Sequence, residues 1–313
     1  MVTGGTKGAG KAIALKFLSL GDNVIICSRD AARVSSTVSE LAATLPPGAP
    51  NRILGGYYET RALLDRRVHH GLSLNCATRR CALLVGMPAD VSNPSDMTSL
   101  AAFATASFPT IDLWVNNAGT NAYSFKPFFD QDDSDIASVV NTNILGVMYG
   151  TKAAINAMKS QPTGGHIFNM DGAGADGTAT PRFAAYGATK RSLDQLNKSI
   201  RADLSIAKID TVGIHAISPG MVTTELLMAG GDNRFSRLMI NCLAETPEDV
   251  ASFLVPKMRE VPGRWKERGW LPRVVQGEYI RFLTKGKAYG QILRRLVLGE
   301  RKDRFVVEEE DKA

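Results

Sequence analysis

Tyr186 and Lys190 stand four residues apart, so on a helix they share one face. A phenol ordinarily ionises at about pH 10, and a neighbouring ammonium group favours the phenolate, which predicts a proton-transfer pair working closer to neutral pH. Alone, the pair is equally well explained as two residues of an ordinary amphipathic helix. Other residues tip the balance. Thr3-Gly4-Gly5-Thr6-Lys7-Gly8-Ala9-Gly10 places glycines where a tight turn must let backbone N–H groups reach a pyrophosphate at the N-terminus of the next helix. Asp90-Val91, Asn116-Asn117-Ala118-Gly119 and Asn143 follow that turn, and Ser218-Pro219-Gly220 follows the pair.

The end of the second strand selects the dinucleotide. A carboxylate there would accept a hydrogen bond from the ribose 2′-OH of NAD. This chain has Ser28 followed by Arg29, and a guanidinium grips a 2′-phosphate bidentately. Lys7 adds a second cation on the same side. The expectation is NADPH over NADH; the plain alternative for Arg29 is a solvated surface residue.

These groups need elements to position them, and the 313 residues suffice for one large α/β domain or two small ones. Short apolar runs at Asn23–Cys27, Ile111–Val115, His166–Met170 and Thr211–Ile217 read as buried parallel strands. They alternate with helical patterns over Gly10–Leu20, Asp30–Leu45, Ser134–Lys159 and Arg182–Ile206. The fold class is therefore α/β, a single doubly wound Rossmann-type parallel sheet with helices on both faces. Two regions break the rhythm. Only Met1 and Val2 precede the glycine turn, so the first strand reads as truncated and the native chain as longer at its N-terminus. Between Arg29 and Asp90 the chain is more than twice the length, about 25 residues, that one helix, one strand and two loops require. The surplus, residues 51–87, shows no sustained period and reads as an irregular insertion, a surface loop or mistranslated sequence. Residues 1–225 form the binding and catalytic core in this division, and 226–313 a lid and C-terminal helical extension of the same domain.

With 44% hydrophobic and 22% charged residues, the composition is that of a globular protein. A net charge of +6 suits anionic partners such as a phosphorylated cofactor or an acidic membrane surface, without requiring nucleic acid. No apolar stretch is long enough to span a bilayer. The four cysteines lack metal-ligand spacing, and no metal is expected; a site from Cys76 and Cys81 with His69 and His70 is the weaker alternative.

Taken in order, Thr3–Gly10, Asp90-Val91, Asn116–Gly119, Asn143, Tyr186-x-x-x-Lys190 and Ser218-Pro219-Gly220 resemble the short-chain dehydrogenase/reductases, from about Thr3 to Thr224 excepting the irregular segment. The resemblance implies that Tyr186 protonates a substrate carbonyl while nicotinamide delivers hydride. Lys190 would hold the nicotinamide ribose and Asn143 would continue a water-mediated proton relay. Thr3, Gly4, Gly8, Gly10, Asp90, Val91, Asn117, Ala118, Gly119, Pro219, Gly220, Val222 and Thr224 would line the cofactor cleft. One residue departs from the pattern. Where that family carries a serine bonded to the substrate carbonyl, after the strand at 166–170, this chain has Asp171 and then Gly172. The Gly172 amide, Thr178 or Thr180 would have to substitute, or the site is reshaped or inactive.

Phe168–Gly177, Thr180–Lys190, Asn117–Pro127 and Tyr279–Thr284 resemble more narrowly the chlorophyll(ide) b reductases of green plants and algae, of the type without a membrane-spanning segment. That resemblance implies NADPH-dependent reduction of the 7-formyl group of chlorophyll b or chlorophyllide b to hydroxymethyl. It also implies a chloroplast location at the stromal side of the thylakoid membrane, and a homo-oligomer or a complex with a membrane-spanning relative. Glycine at 172 would leave room for a flat tetrapyrrole. The competing readings are a reductase for another aldehyde or ketone, and an inactive cofactor-binding subunit recruiting a partner reductase. Met221, Leu226, Leu227, Met228, Phe235, Leu238, Met239 and Ile240 read as an apolar lid suited to such a substrate, or as core helix. Cations and apolar residues interleave from Tyr279 to Arg304, which fits a membrane surface, the protein body or a second subunit.

Overall fold

The computed structural model describes residues 1–44, 52–53, 83–229, 234–267 and 277–308. Eight parallel strands form one sheet in the order β3-β4-β2-β1-β5-β6-β7-β8. They are β1 Val2–Thr3, β2 Val24–Ser28, β3 Arg52–Ile53, β4 Leu83–Pro88, β5 Leu113–Asn116, β6 Gly165–Met170, β7 Val212–Ser218 and β8 Tyr279–Arg281. The helices are α1 Gly8–Ser19, α2 Ala31–Ala43, α3 Pro94–Ser107, α4 Asp133–Val140, α5 Gly146–Met158, α6 Ala184–Ile206, α7 Glu225–Met228, α8 Arg234–Leu243, α9 Pro247–Glu267 and α10 Lys285–Leu298.

Alternation along β2 divides the core. Val24 and Ile26 join Val2, Ile13, Phe17 and Leu18 on one face, covered by α1 and by Leu254, Met258 and Val261 of α9. Ile25 and Cys27 join Leu100, Trp114, Met158 and Ile167 on the other. Both faces are buried, which is why the strands read as continuous apolar runs. The chain winds outward in one direction from β1 to β2, β4 and β3, and in the other from β5 to β8. A crevice therefore opens beyond the C-terminal ends of β1 and β5, where doubly wound sheets bind ligands.

The short first strand still holds this central place. Val2 and Thr3 pair with Ile26 and Cys27, Val2 pairs with Val115, and Val115 N–H donates to the Met1 carbonyl at 2.9 Å. The irregular segment needs correction at both ends. Leu83–Pro88 is a strand paired with β2 from Leu84 to Pro88, and Arg52–Ile53 pairs with its start. Gly86 hides that strand in the sequence, because a Cβ there would lie 2.4 Å from Val34 Cγ1; the strand needs a gap for α2 to cross. The remainder of 51–87, with Cys76, Cys81, His69 and His70, lies outside the described residues. Beyond the lid, β8 adds to the sheet beside β7.

Candidate active site

The glycine turn is built as the sequence requires. Gly4 and Gly8 have φ of +63° and +53°, a region that favours glycine, and a Cβ on Gly10 would stand 2.3 Å from both Asn117 Nδ2 and the Gly4 carbonyl. The turn is held from below by the end of β5. Thr3 Oγ1 accepts from the N–H groups of Asn117 and Ala118 at 3.0 and 3.1 Å, and Asn117 Nδ2 donates to the Thr3 carbonyl at 2.9 Å. Thr3 and Asn117 therefore shape the turn, with their polar atoms spent on protein. Asp90 caps its own loop through Ser92, and Val91 packs under Gly146.

At the end of β2, Arg29 is exposed and has no partner among the described residues, while Ser28 Oγ lies 3.4 Å from the Asp30 carbonyl. Lys7 departs from the expectation of a second free cation. Its ammonium donates to Glu225 at 2.5 Å and to the Tyr123 hydroxyl at 2.9 Å, tying the glycine turn to the start of α7. Burial lowers the Lys7 pKa, but the bonds to Glu225 and Tyr123 outweigh it and the net direction is upward. Beyond β7, Gly220 (φ +72°) passes against Leu283, Val222 bridges to Glu245, and Thr224 precedes α7 and touches Gly8.

The residues expected to transfer the proton converge at the ends of β5 and β6. Lys190 is 3% exposed, and its ammonium donates to the Met170 carbonyl at 3.0 Å. It lies 5.6 Å from the centre of the Tyr186 ring. Asn143 sits in a π-turn, Asn141–Leu145, between α4 and α5. Its side chain is fully engaged: Oδ1 accepts from Thr120 N–H at 2.9 Å, and Nδ2 donates to the Thr120 carbonyl and to Thr189 Oγ1 at 2.8 and 3.2 Å. A Cβ on Gly119 would lie 3.3 Å from Asn143 Oδ1 and 3.6 Å from the Lys190 ammonium, so Gly119 joins the two.

Gly172 has a different reason from the one expected. A Cβ on it would stand 2.3 Å from the Tyr186 hydroxyl, so the space freed by the missing side chain holds the phenol rather than substrate. The expected lowering of the phenol pKa is also not found. Burial pushes Tyr186 up and the Asp171 carboxylate adds to it, while burial brings Lys190 down to about 8. Desolvation, with Asp171, sets the direction for the phenol.

Neither threonine named from the sequence is a free donor at the site. Thr180 Oγ1 bonds to the Phe183 carbonyl at 3.2 Å, and Thr178 is exposed. Ser124 was not legible, being a lone serine in a loop. It shares a small cavity with Asn121, Gln131, Arg182, Phe183 and Tyr186, and its hydroxyl is buried without a partner among the described residues. Phe125 stacks at a tilt on Phe183, 4.7 Å between centroids, and Phe183 reaches the edge of Tyr186 at 6.4 Å, giving the cavity an aromatic wall. The lid residues divide: Ile240 is buried, and Phe235 is exposed.

A doubly wound sheet, a glycine cradle at its switch point and a half-buried tyrosine beside a buried lysine beyond the next strands define an oxidoreductase of the dinucleotide-binding class. The short chain dehydrogenase family model matches residues 62–234, and the chain belongs to that family. Within it the chain is similar to chlorophyll(ide) b reductase NOL, chloroplastic, of Arabidopsis thaliana, 43% identical over 99% of this chain and 76% of the relative. The protein of that name from Oryza sativa subsp. japonica is 41% identical over 99% of this chain and 78% of its own length. Among solved structures, the closed form of serine dehydrogenase complexed with NADP+ superposes with a TM-score of 0.59. It is 25% identical, over 90% of this chain and 93% of that one.

Proposed function

We propose that the protein reduces the 7-formyl group of chlorophyll b or chlorophyllide b to hydroxymethyl with NADPH, the first step of chlorophyll b breakdown. The observation that carries this reading is the similarity to two chlorophyll(ide) b reductases over 99% of the chain. The residues fit the cofactor. The cradle of Gly4, Gly8 and Gly10 leaves no room for side chains, and Arg29 stands exposed where a 2′-phosphate would lie.

NADPH supplies the hydride. The chain's own residues do the remainder. Tyr186 donates its hydroxyl proton to the formyl oxygen as that oxygen gains charge, and a phenol held protonated by burial is in the right state to do so. Lys190, anchored on Met170, places its charge beside the phenolate that remains. Ser124, which lines the same cavity as Tyr186 and whose hydroxyl has no partner among the described residues, supplies the hydroxyl donor absent at Gly172. Asn143 acts through position, fixing the loop at Thr120 and the helix at Thr189. The tilted Phe125–Phe183 pair supplies apolar ring surface beside Tyr186 for part of a macrocycle to pack on.

The location is a chloroplast, at the stromal side of the thylakoid membrane, in a homo-oligomer or with a membrane-spanning relative. Support comes from α10, which exposes Tyr289, Leu293, Leu296 and Val297 together with Lys285, Lys287 and Arg294. No described helix is long and apolar enough to cross a membrane.

The test incubates the protein with NADPH and chlorophyllide b and follows the 7-hydroxymethyl product by chromatography, beside NADH and a Tyr186→Phe variant. Product with NADPH and none from the variant supports the reading. A folded, NADPH-binding protein that yields no product overturns it.

A further inference from the structure

Asp171 is a buried carboxyl that the scheme above does not use. Its neighbours in sequence hold both members of the proton-transfer pair: the Met170 carbonyl accepts from Lys190, and Gly172 receives the Tyr186 hydroxyl. The Asp171 N–H is fixed to the Ile217 carbonyl at 2.9 Å, so the side chain projects over the ends of β7 and β8. There the Tyr279 hydroxyl donates to Oδ2, and Ser218 lies beside the same carboxyl. Oδ1 is buried with no partner among the described residues. A buried carboxylate with an unused oxygen is costly to keep unless a nearby charge needs it. The charged or titratable groups that face it are Lys190 and Tyr186 from α6 and Tyr279 and Arg281 from β8.

We infer that Asp171, strapped by Tyr279, is a positioning residue that keeps Lys190 charged and Tyr186 protonated through the working pH range. This rests on reading Tyr186 and Lys190 as the proton-transfer pair. The carboxylate is the counter-charge that holds Lys190 up against burial, and the same negative charge opposes ionisation of Tyr186. Both actions extend the active state toward alkaline pH. Tyr279, by bonding to the carboxylate, favours its charged form against the burial that pushes Asp171 up. Tyr279 is 43% exposed, so the strap links the buried carboxyl to solvent at the sheet edge.

The test measures kcat against pH for the whole protein and for Asp171→Asn, Asp171→Glu, Tyr279→Phe and Tyr186→Phe, with ultraviolet titration of tyrosine ionisation and a thermal melt for each. Asp171→Asn should move the alkaline limb down by about one pH unit, with the tyrosine titration shifting the same way. Asp171→Glu should restore most of it. Tyr279→Phe should move the alkaline limb down by a smaller amount, because the carboxylate is then no longer held in place beside Lys190 and Tyr186. A uniform loss of kcat in Asp171→Asn, with neither limb moved and the tyrosine titration unchanged, overturns the inference. Should Asp171→Asn fail to fold, an alkaline limb unmoved in Tyr279→Phe overturns it equally. If Tyr186→Phe retains full activity, it is the underlying reading of the pair that fails.

Discussion

The Tyr186 hydroxyl occupies the space that a side chain at Gly172 would fill, 2.3 Å from the position of a Cβ. The glycine and the phenol proposed as proton donor therefore form one unit, and the departure from the family's serine is part of how the phenol is seated. Gly172→Ala must push the hydroxyl outward. Displacement on the order of 1 Å costs about 100-fold in rate, so kcat should fall by that much while NADPH affinity, measured by fluorescence titration, holds. An unchanged kcat would show that the seat does not matter.

Ser124 carries the hydroxyl that the site otherwise lacks. Ser124→Ala removes a buried oxygen without a partner among the described residues, so the fold should be as stable as before or slightly more so. As a donor to the developing oxyanion it would contribute a factor of about 100 to kcat. Steady-state kinetics with a thermal melt separates the two: a full rate in Ser124→Ala removes the residue from the mechanism.

Lys190 costs the fold stability. Its pKa falls from 10.5 to about 8 on burial, so between those values the unfolded chain binds more protons than the folded one, and stability rises with pH across that window. The penalty is fully present below pH 8. Lys190→Met removes it and loses one hydrogen bond, a net gain of about 1–2 kcal/mol at pH 7. Denaturant unfolding should show an inactive variant that is more stable at pH 7, with its advantage shrinking above pH 8. A less stable variant at neutral pH would mean that Asp171 and Met170 fully compensate the buried charge.

Much of this site was readable from residue types alone, and the failures have physical causes. Glycines 4, 8 and 10, Asn117, Tyr186 and Lys190 are legible because backbone geometry and helix spacing leave few alternatives. The strand at Leu83–Pro88 was hidden by a glycine demanded by Val34 of α2, a contact far away in sequence. The helix Pro247–Glu267 contains Pro256 and Pro262, and interior prolines argue against a helix unless burial of residues such as Leu254, Met258 and Val261 overrides them. The state of Tyr186 was misjudged because spacing reports the lysine and says nothing of burial or of Asp171.

Arg29 and Lys7 are unequal as proposed cofactor ligands. Arg29 is exposed without a partner among the described residues, whereas Lys7 must leave Glu225 and Tyr123 to reach a phosphate. Arg29→Ala should raise KM for NADPH by about 10-fold to 100-fold, the loss of one charge-assisted contact, and leave KM for NADH unchanged. Lys7→Ala should have the smaller effect of the two. Equal losses for both cofactors in Arg29→Ala would remove the arginine from 2′-phosphate selection.

Glu245 joins the lid to the C-terminal segment. It is 8% exposed, accepts from Arg301 at 3.0 Å and Gln291 at 3.2 Å, lies 2.8 Å from Arg304, and its backbone holds Val222 and Thr223 at the base of the lid. Burial pushes its pKa up, but the bonds and charges of Arg304 and Arg301 outweigh this and hold it below 4.5. A depressed carboxyl stabilises above its unfolded pKa and loses that contribution as pH falls through the folded one. Glu245→Gln leaves two arginines without their counter-charge, a loss of about 3 kcal/mol at pH 7. The difference from wild type should close as the pH drops below about 4.5. Because the same residue anchors Val222, the variant should also bind NADPH more weakly, through a loosened lid rather than a lost contact. Urea unfolding across pH, with cofactor titration at pH 7, checks both. Lost stability with unchanged NADPH binding would show that the C-terminal segment clamps the fold without controlling the lid.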